Sequence, residues 1–159
     1  MISIAAPNTD RSLLTLAELR AAAGVTDGSQ DATLVPLGGY IAAMITSACS
    51  VIRAGATPPT LRLETVTETF RLKSRAQAVI PSRLPIVEIT SVTENASALS
   101  ATDYEVDQGM IWRISGSCRG HWPSWSGWAS PSGGEIVIEY SAGYETVPQT
   151  LENIYSFGA

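Results

Sequence analysis

Apolar positions recur at helical spacing in the first third of the chain and at alternating spacing in much of the rest, which predicts a helical pair followed by strands. Thr15-Leu16-Ala17-Glu18 has the form of a capping box and Gly24 stands where a helix C-cap is expected, so a short helix is placed over about 16–23. Asp27-Gly28-Ser29-Gln30-Asp31 reads as turn and N-cap material. Leu34, Leu37, Ile41, Ile45, Ala48 and Ile52 then recur at steps of three and four, predicting an apolar stripe on a second helix from near Thr33 to near Arg53. Proline is comfortable only in a first turn, which is where this start puts Pro36. The other faces carry Gly38, Gly39, Ala42, Ala43 and Ser47. These let another backbone approach closely, either in the subunit core or in a helix-to-helix contact with another subunit.

Gly55 to Thr60, with Pro58-Pro59, ends the helical part. From Thr65 the chain alternates, with Val66, Phe70 and Leu72 on one face and Thr65, Thr67 and Thr69 on the other. Glu68 falls in the apolar register, and Leu61 and Leu63 are out of phase. A bulge or a strand start near Glu64 would reconcile them. Ile80-Pro81 and Leu84-Pro85 bracket a turn, and Ile86 to Thr93 reads as a strand. Tyr104–Val106 and Met110–Ile114 form a hairpin around Asp107-Gln108-Gly109, where glycine supplies positive φ. Residues 115–134 form a long Trp/Gly loop. Ile136, Ile138 and Tyr140 alternate with Glu135, Val137 and Glu139 in a further strand, and Pro148 opens a short C-terminal helix in which Leu151 and Ile154 or Tyr155 share a face. The fold class expected is α+β: an N-terminal helical pair (13–54), an antiparallel β portion (61–141) and a C-terminal segment (147–159), in a single domain spanning 1–159.

Charge and composition narrow the function. A chain of 159 residues, 45% hydrophobic, with ten basic and fifteen acidic residues and a net charge of −5, is not built to grip nucleic acid by broad phosphate neutralisation. The crowded basic stretch, Arg71, Lys73, Arg75 and Arg83, reads first as a solvated strand end, and otherwise as a contact with a neighbouring subunit or DNA. Cys49 and Cys118 lie far apart and give no disulfide framework, which fits a reducing history. No window reaches the ~18 uncharged apolar residues of a membrane span, so no membrane association is expected.

Catalytic signatures do not rise above background. His121 has no partner at a stated geometry, and no nucleophile elbow, phosphate-binding loop or zinc-protease motif occurs, so an enzyme is not expected and a hydrolase is the remotest reading. Asp103, Glu105 and Asp107 alternate along one strand face, where a solvated face is a better account than a divalent site. No metal or cofactor is expected. Trp122, Trp125 and Trp128 recur every three residues and are candidates either for a local core or for an interface. Trp112, on a strand, is core.

The helix Leu14-Thr15-Leu16-Ala17-Glu18-Leu19-Arg20, the break at Gly24-Val25, the Asp31-to-Ile52 helix and the strand set ending Tyr140-Ser141-Ala142-Gly143-Tyr144 before Val147-Pro148 together resemble the head-tail connector (adaptor) family of tailed bacteriophages and of phage-derived gene transfer particles. The likeness lies in order and spacing over about residues 13–155. It implies a structural virion protein of the neck, assembled in the host bacterial cytoplasm. Such a protein is a homo-oligomeric ring, twelvefold to match a portal, that binds the portal protein and a downstream head-completion or tail protein while DNA passes through its lumen without sequence-specific binding. It also makes Pro148, Leu151, Ile154 and Tyr155 portal-docking candidates. The interface candidates are Trp122, Trp125, Trp128, Arg71, Lys73 and Arg75. The competing reading is a carbohydrate- or surface-binding β module that uses the tryptophan loop.

Overall fold

The computed structural model describes residues 1–49, 51–55, 57–115, 118–119, 127–128 and 133–146. In chain order the elements are β1 (Ile2–Ala6), α1 (Leu16–Ala22), α2 (Asp31–Ala48), β2 (Glu64–Leu72), β3 (Ala78–Val79), β4 (Ile86–Glu94), β5 (Ser97–Ala98), a 3-10 turn (Ala101–Asp103), β6 (Tyr104–Asp107), β7 (Met110–Ser115), β8 (Cys118–Arg119) and β9 (Gly134–Ala142). Mixed α and β structure, with two helices and antiparallel sheets, agrees with the expectation at that level. The expected C-terminal helix lies outside the described residues, as does most of the Trp/Gly loop.

Two compact units form. One takes Met1–Ala6 and Glu64–Ala142, the other Pro7–Leu63 and the chain from Gly143 onward.

The first unit is built on a five-stranded antiparallel sheet in the order β1-β2-β9-β4-β5, with β3, β6 and β8 pairing around β7 in a second sheet. β2 starts at Glu64, which removes the phase conflict of Leu61 and Leu63. β2 and β9 pair in unbroken register from Glu64↔Ala142 to Leu72↔Gly134. Along β9, Ile136, Ile138, Tyr140 and Ala142 are buried while the residues between them are not, the alternation expected of a sheet with one covered face. They join Val66, Val79, Val92, Ile111 and Trp128 in the core. The β6–β7 hairpin turns on Gln108 (φ 50) and Gly109 (φ 75), both left-handed as a two-residue hairpin loop requires. A second tight turn, at Asn95 (φ 51) and Ala96 (φ 65), joins β4 to β5. β1 was not anticipated: the apolar start of the chain is an edge strand antiparallel to β2, with Ile2 opposite Glu68 and Ile4 opposite Val66.

In the second unit, α1 is capped as its sequence dictates. The Thr15 hydroxyl accepts from the Glu18 amide at 3.3 Å, and the Glu18 carboxylate accepts from the Thr15 amide at 2.6 Å. α2 begins at Asp31, two residues earlier than expected, and ends at Ala48. Arg20 of α1 forks onto the Asp31 carboxylate, Nε to Oδ1 at 2.8 Å with Nη2 on Oδ2, and this pair anchors the first turn. Pro36 is therefore inside the helix rather than in its first turn. Leu13, Ala42 and Leu61 form the core here, with Ile45, Val51 and Tyr144 packed against it. Tyr144 is tied to the segment before β2 by its amide on the Leu61 carbonyl (2.9 Å) and by the Leu63 amide on its own carbonyl (3.0 Å).

Candidate assembly interface

Between Asp31 and Arg53 the sequence contains no charged residue, and α2 occupies most of that interval. A surface helix normally carries its charges on the solvent side. The expected stripe is covered only in part: Leu34 is buried and Ile41 and Ile45 are half-buried, whereas Leu37 and Ala48 are exposed. The buried line is Leu34, Gly38, Ala42 and Thr46, one residue per turn and mostly small. The Leu19 side chain of α1 lies on Gly38 so closely that a Cβ there would meet Leu19 Cδ1 at 2.8 Å, which is why the near face is small. Leu37, Tyr40 and Met44 are pushed outward together, with Tyr40 71% and Met44 72% exposed. A contiguous apolar surface of this kind, free of charge, is characteristic of an interaction site.

Beside that line the same helix floors a hollow of about 500 Å³, walled by α1 and by Pro58 and Pro59, with Gly38, Gly39, Ala42 and Ala43 at its base. Its rim charges are matched locally. Arg62 lies 3.8 Å from Asp10 and donates to the carbonyls of Ser12 (2.7 Å) and Glu145 (3.0 Å), while Arg11 donates to the Pro58 carbonyl. Hydrogen bonds from the Ser12 hydroxyl and amide, with Arg62 nearby, hold the Asp10 carboxyl below the usual carboxylate range.

The first unit holds a different arrangement, a buried polar cluster. Glu68, the carboxylate in the apolar register of β2, is 5% exposed and accepts from the Ser82 amide (2.8 Å), the Ser82 hydroxyl and the Tyr140 hydroxyl (2.9 Å). Tyr140 Oη in turn accepts from the Arg83 amide at 3.3 Å. Burial, reinforced by the Glu68 carboxylate, raises the Tyr140 phenol well above its ordinary range. Arg83 is buried 4.0 Å from the equally buried Glu64, so it is no part of a solvated basic stretch. The hydrogen bonds give the buried Glu68 carboxylate and the Tyr140 hydroxyl their partners within the unit, as a buried polar group in a core requires.

The remaining site candidates are distributed as follows. Trp128 is fully buried: its indole N–H donates to the Ile111 carbonyl at 2.9 Å and its backbone bridges to Ala76. It therefore belongs to the core and has no surface to offer a partner, a correction to its candidacy as an interface residue. Trp122 and Trp125 lie outside the described residues, as do Pro148, Leu151, Ile154, Tyr155 and His121. Arg71, Lys73 and Arg75 are exposed, and Arg71 pairs with Glu135 at 3.0 Å. Asp103 does not line up with Glu105 and Asp107 on a strand. It sits in the 3-10 turn, where its carboxylate accepts from the Ser100 amide (2.9 Å) and lies 3.7 Å from Arg113. Among the described residues no three His, Cys, Asp or Glu side chains converge.

No family model matches this chain. Nor does any curated protein give a significant match. The reading of function therefore depends on the surface itself, and its decisive property is that α2 is apolar on nearly every side.

Proposed function

We propose that this protein is a structural, ring-forming adaptor of a phage or phage-like particle. It would bind the portal protein at the neck of the virion and present its far side to a head-completion or tail protein, with DNA passing through the lumen. The observation that carries the reading is α2: an 18-residue helix with an exposed, uncharged apolar face is what a subunit that is covered on assembly requires. The two helices and the antiparallel strands β2 to β9 that follow them support the family resemblance. A net charge of −5 suits a channel that must let DNA slide. Ring and portal would be joined by many weak contacts, each gaining from the others once the portal acts as template.

Cosedimentation of the purified chain with portal rings from its own particle tests this, beside a version truncated after Val147. The adaptor reading expects the full chain to pellet with portal and the truncated chain to stay in the supernatant. Full-length chain that ignores portal sinks it.

A further inference from the structure

We infer that neighbouring copies of this chain dock head to tail through α2, the Leu37–Tyr40–Met44 ridge of one copy seating in the hollow that α2 forms with α1, Pro58 and Pro59 in the next. The inference deepens the self-assembling half of the adaptor reading and does not depend on the portal.

Helical geometry provides the first argument. At ~100° per residue, the ridge residues Leu37, Tyr40 and Met44 lie roughly 160° around the helix from the centre of the residues that floor the hollow. One helix thus carries a convex apolar surface on one side and a concave one on the other. Two different surfaces in mutual contact make a heterologous interface, which repeats from copy to copy and closes into a ring when the rotation between copies permits. A two-fold dimer would pair ridge with ridge and leave the hollows empty.

Charge provides the second. Copies with a net charge of −5 repel one another, and burying an unmatched charge at their contact would add a desolvation penalty. Ridge and hollow avoid the second cost, because α2 carries no charge after Asp31. The rim groups Arg62, Asp10 and Arg11 are already matched within the subunit, so an apolar insert need not supply partners for them. The fit is also one of size: about 500 Å³ is room for a few side chains such as those of Tyr40 and Met44. A charged or polar partner segment would waste such a hollow, whereas the ridge of a second copy has the matching chemistry.

The test separates the two surfaces. A ridge variant, Tyr40→Glu with Met44→Glu, and a hollow variant, Gly39→Phe, are compared with the unmodified chain by sedimentation equilibrium at loadings up to about 1 mM, so that even a millimolar contact registers. Val35→Glu, in the hollow and away from the ridge, serves as a second hollow variant, and circular dichroism checks that each protein is folded. The unmodified chain is expected to exceed dimer mass as concentration rises, and each variant alone to remain monomeric. A one-to-one mixture of ridge and hollow variants is expected to stop at dimer, since each retains the surface the other lacks. An unmodified chain that stays monomeric throughout, a folded variant that still polymerises, or a folded mixture that stays monomeric each overturns the inference. No portal is present, so failure here is distinct from failure of portal binding.

Discussion

Replacing Tyr140 by phenylalanine isolates the buried polar cluster, because it deletes one hydroxyl and leaves the ring packed in the core. The hydroxyl donates to the Glu68 carboxylate at 2.9 Å and accepts from the Arg83 amide at 3.3 Å, and Tyr140 has no exposed surface through which water could substitute. A hydrogen bond to a charged group contributes about 1.5–3 kcal/mol, and the longer amide contact adds little, so the expected loss near neutral pH is about 2 kcal/mol. No cavity contribution enters, since phenylalanine fills the same ring volume. The pH dependence supplies an independent check. Tyr140 holds its proton more tightly in the folded state than a free phenol does. The stability it contributes is therefore complete below the unfolded value of about 10 and is lost as pH rises toward the raised folded value. Phenylalanine does not titrate, so the gap between the two proteins should close by about 1.4 kcal/mol per pH unit above ~10. Urea unfolding followed by tryptophan fluorescence from about pH 7 to about pH 11 measures both effects. A gap below about 0.5 kcal/mol at neutral pH, or one that holds constant up to about pH 11, would refute the account.

Three further outcomes follow from single positions. Gly39→Ala should stabilise the isolated chain by about 1 kcal/mol, because a Cβ there meets open space in a helix interior, whereas Gly38→Ala should give less because Leu19 has to move; thermal melts of the pair decide this. Gly133→Ala should cost about 3 kcal/mol or more in urea unfolding, since φ is +98° and the new Cβ would sit 2.4 Å from the Leu72 carbonyl oxygen; a neutral result would mean the turn is not built this way. Thr15→Ala should cost about 1 kcal/mol at neutral pH. The Thr15 hydroxyl and then its amide hold the Glu18 carboxyl below its usual range. That part of the cap is thus complete above about pH 4.3 and lost as pH falls through the lowered value, so variant and parent melts should converge in acid.

Local chemistry was the part of the fold that could be read from the sequence. Thr15 and Glu18 cap α1 because the two groups are three residues apart, and the Gln108-Gly109 hairpin forms because its turn residues stand side by side. Features that depend on distant chain were missed. β1 has only Ile2 and Ile4 facing inward, too short a pattern to recognise without its partner β2, more than sixty residues away in sequence. Glu68 looked misplaced until Tyr140 and Ser82 supplied its donors, and Arg83 looked solvated until Glu64 lay beside it. The stripe assigned to α2 held only at Leu34, Ile41 and Ile45, for a different reason: where nearly every residue is apolar, several helix faces satisfy the period equally. Packing buried Gly38 under Leu19 and Ala42 against Leu13 and Leu61, and left Tyr40 and Met44 outside. The small residues had signalled close approach, but not that the large ones would be the exposed partners.

The interleaving of the two compact units bears on how the chain folds. β1 pairs with β2 only after Pro7–Leu63, 63 minus 6 or 57 residues, has been looped out, and the helical unit in turn awaits Tyr144 to close on Leu61 and Leu63. Closing such a loop costs entropy before its contacts repay it, and contacts between distant residues slow folding. During synthesis the helices can form early, yet neither unit can be completed until about nine-tenths of this chain has left the ribosome. Until then the β2 edge that β9 will cover stands open, and the uncharged face of α2 is exposed to whatever else is nearby. Pulse-labelled hydrogen exchange during refolding should accordingly find α1 and α2 amides protected before those of β2, and simultaneous protection would contradict this order.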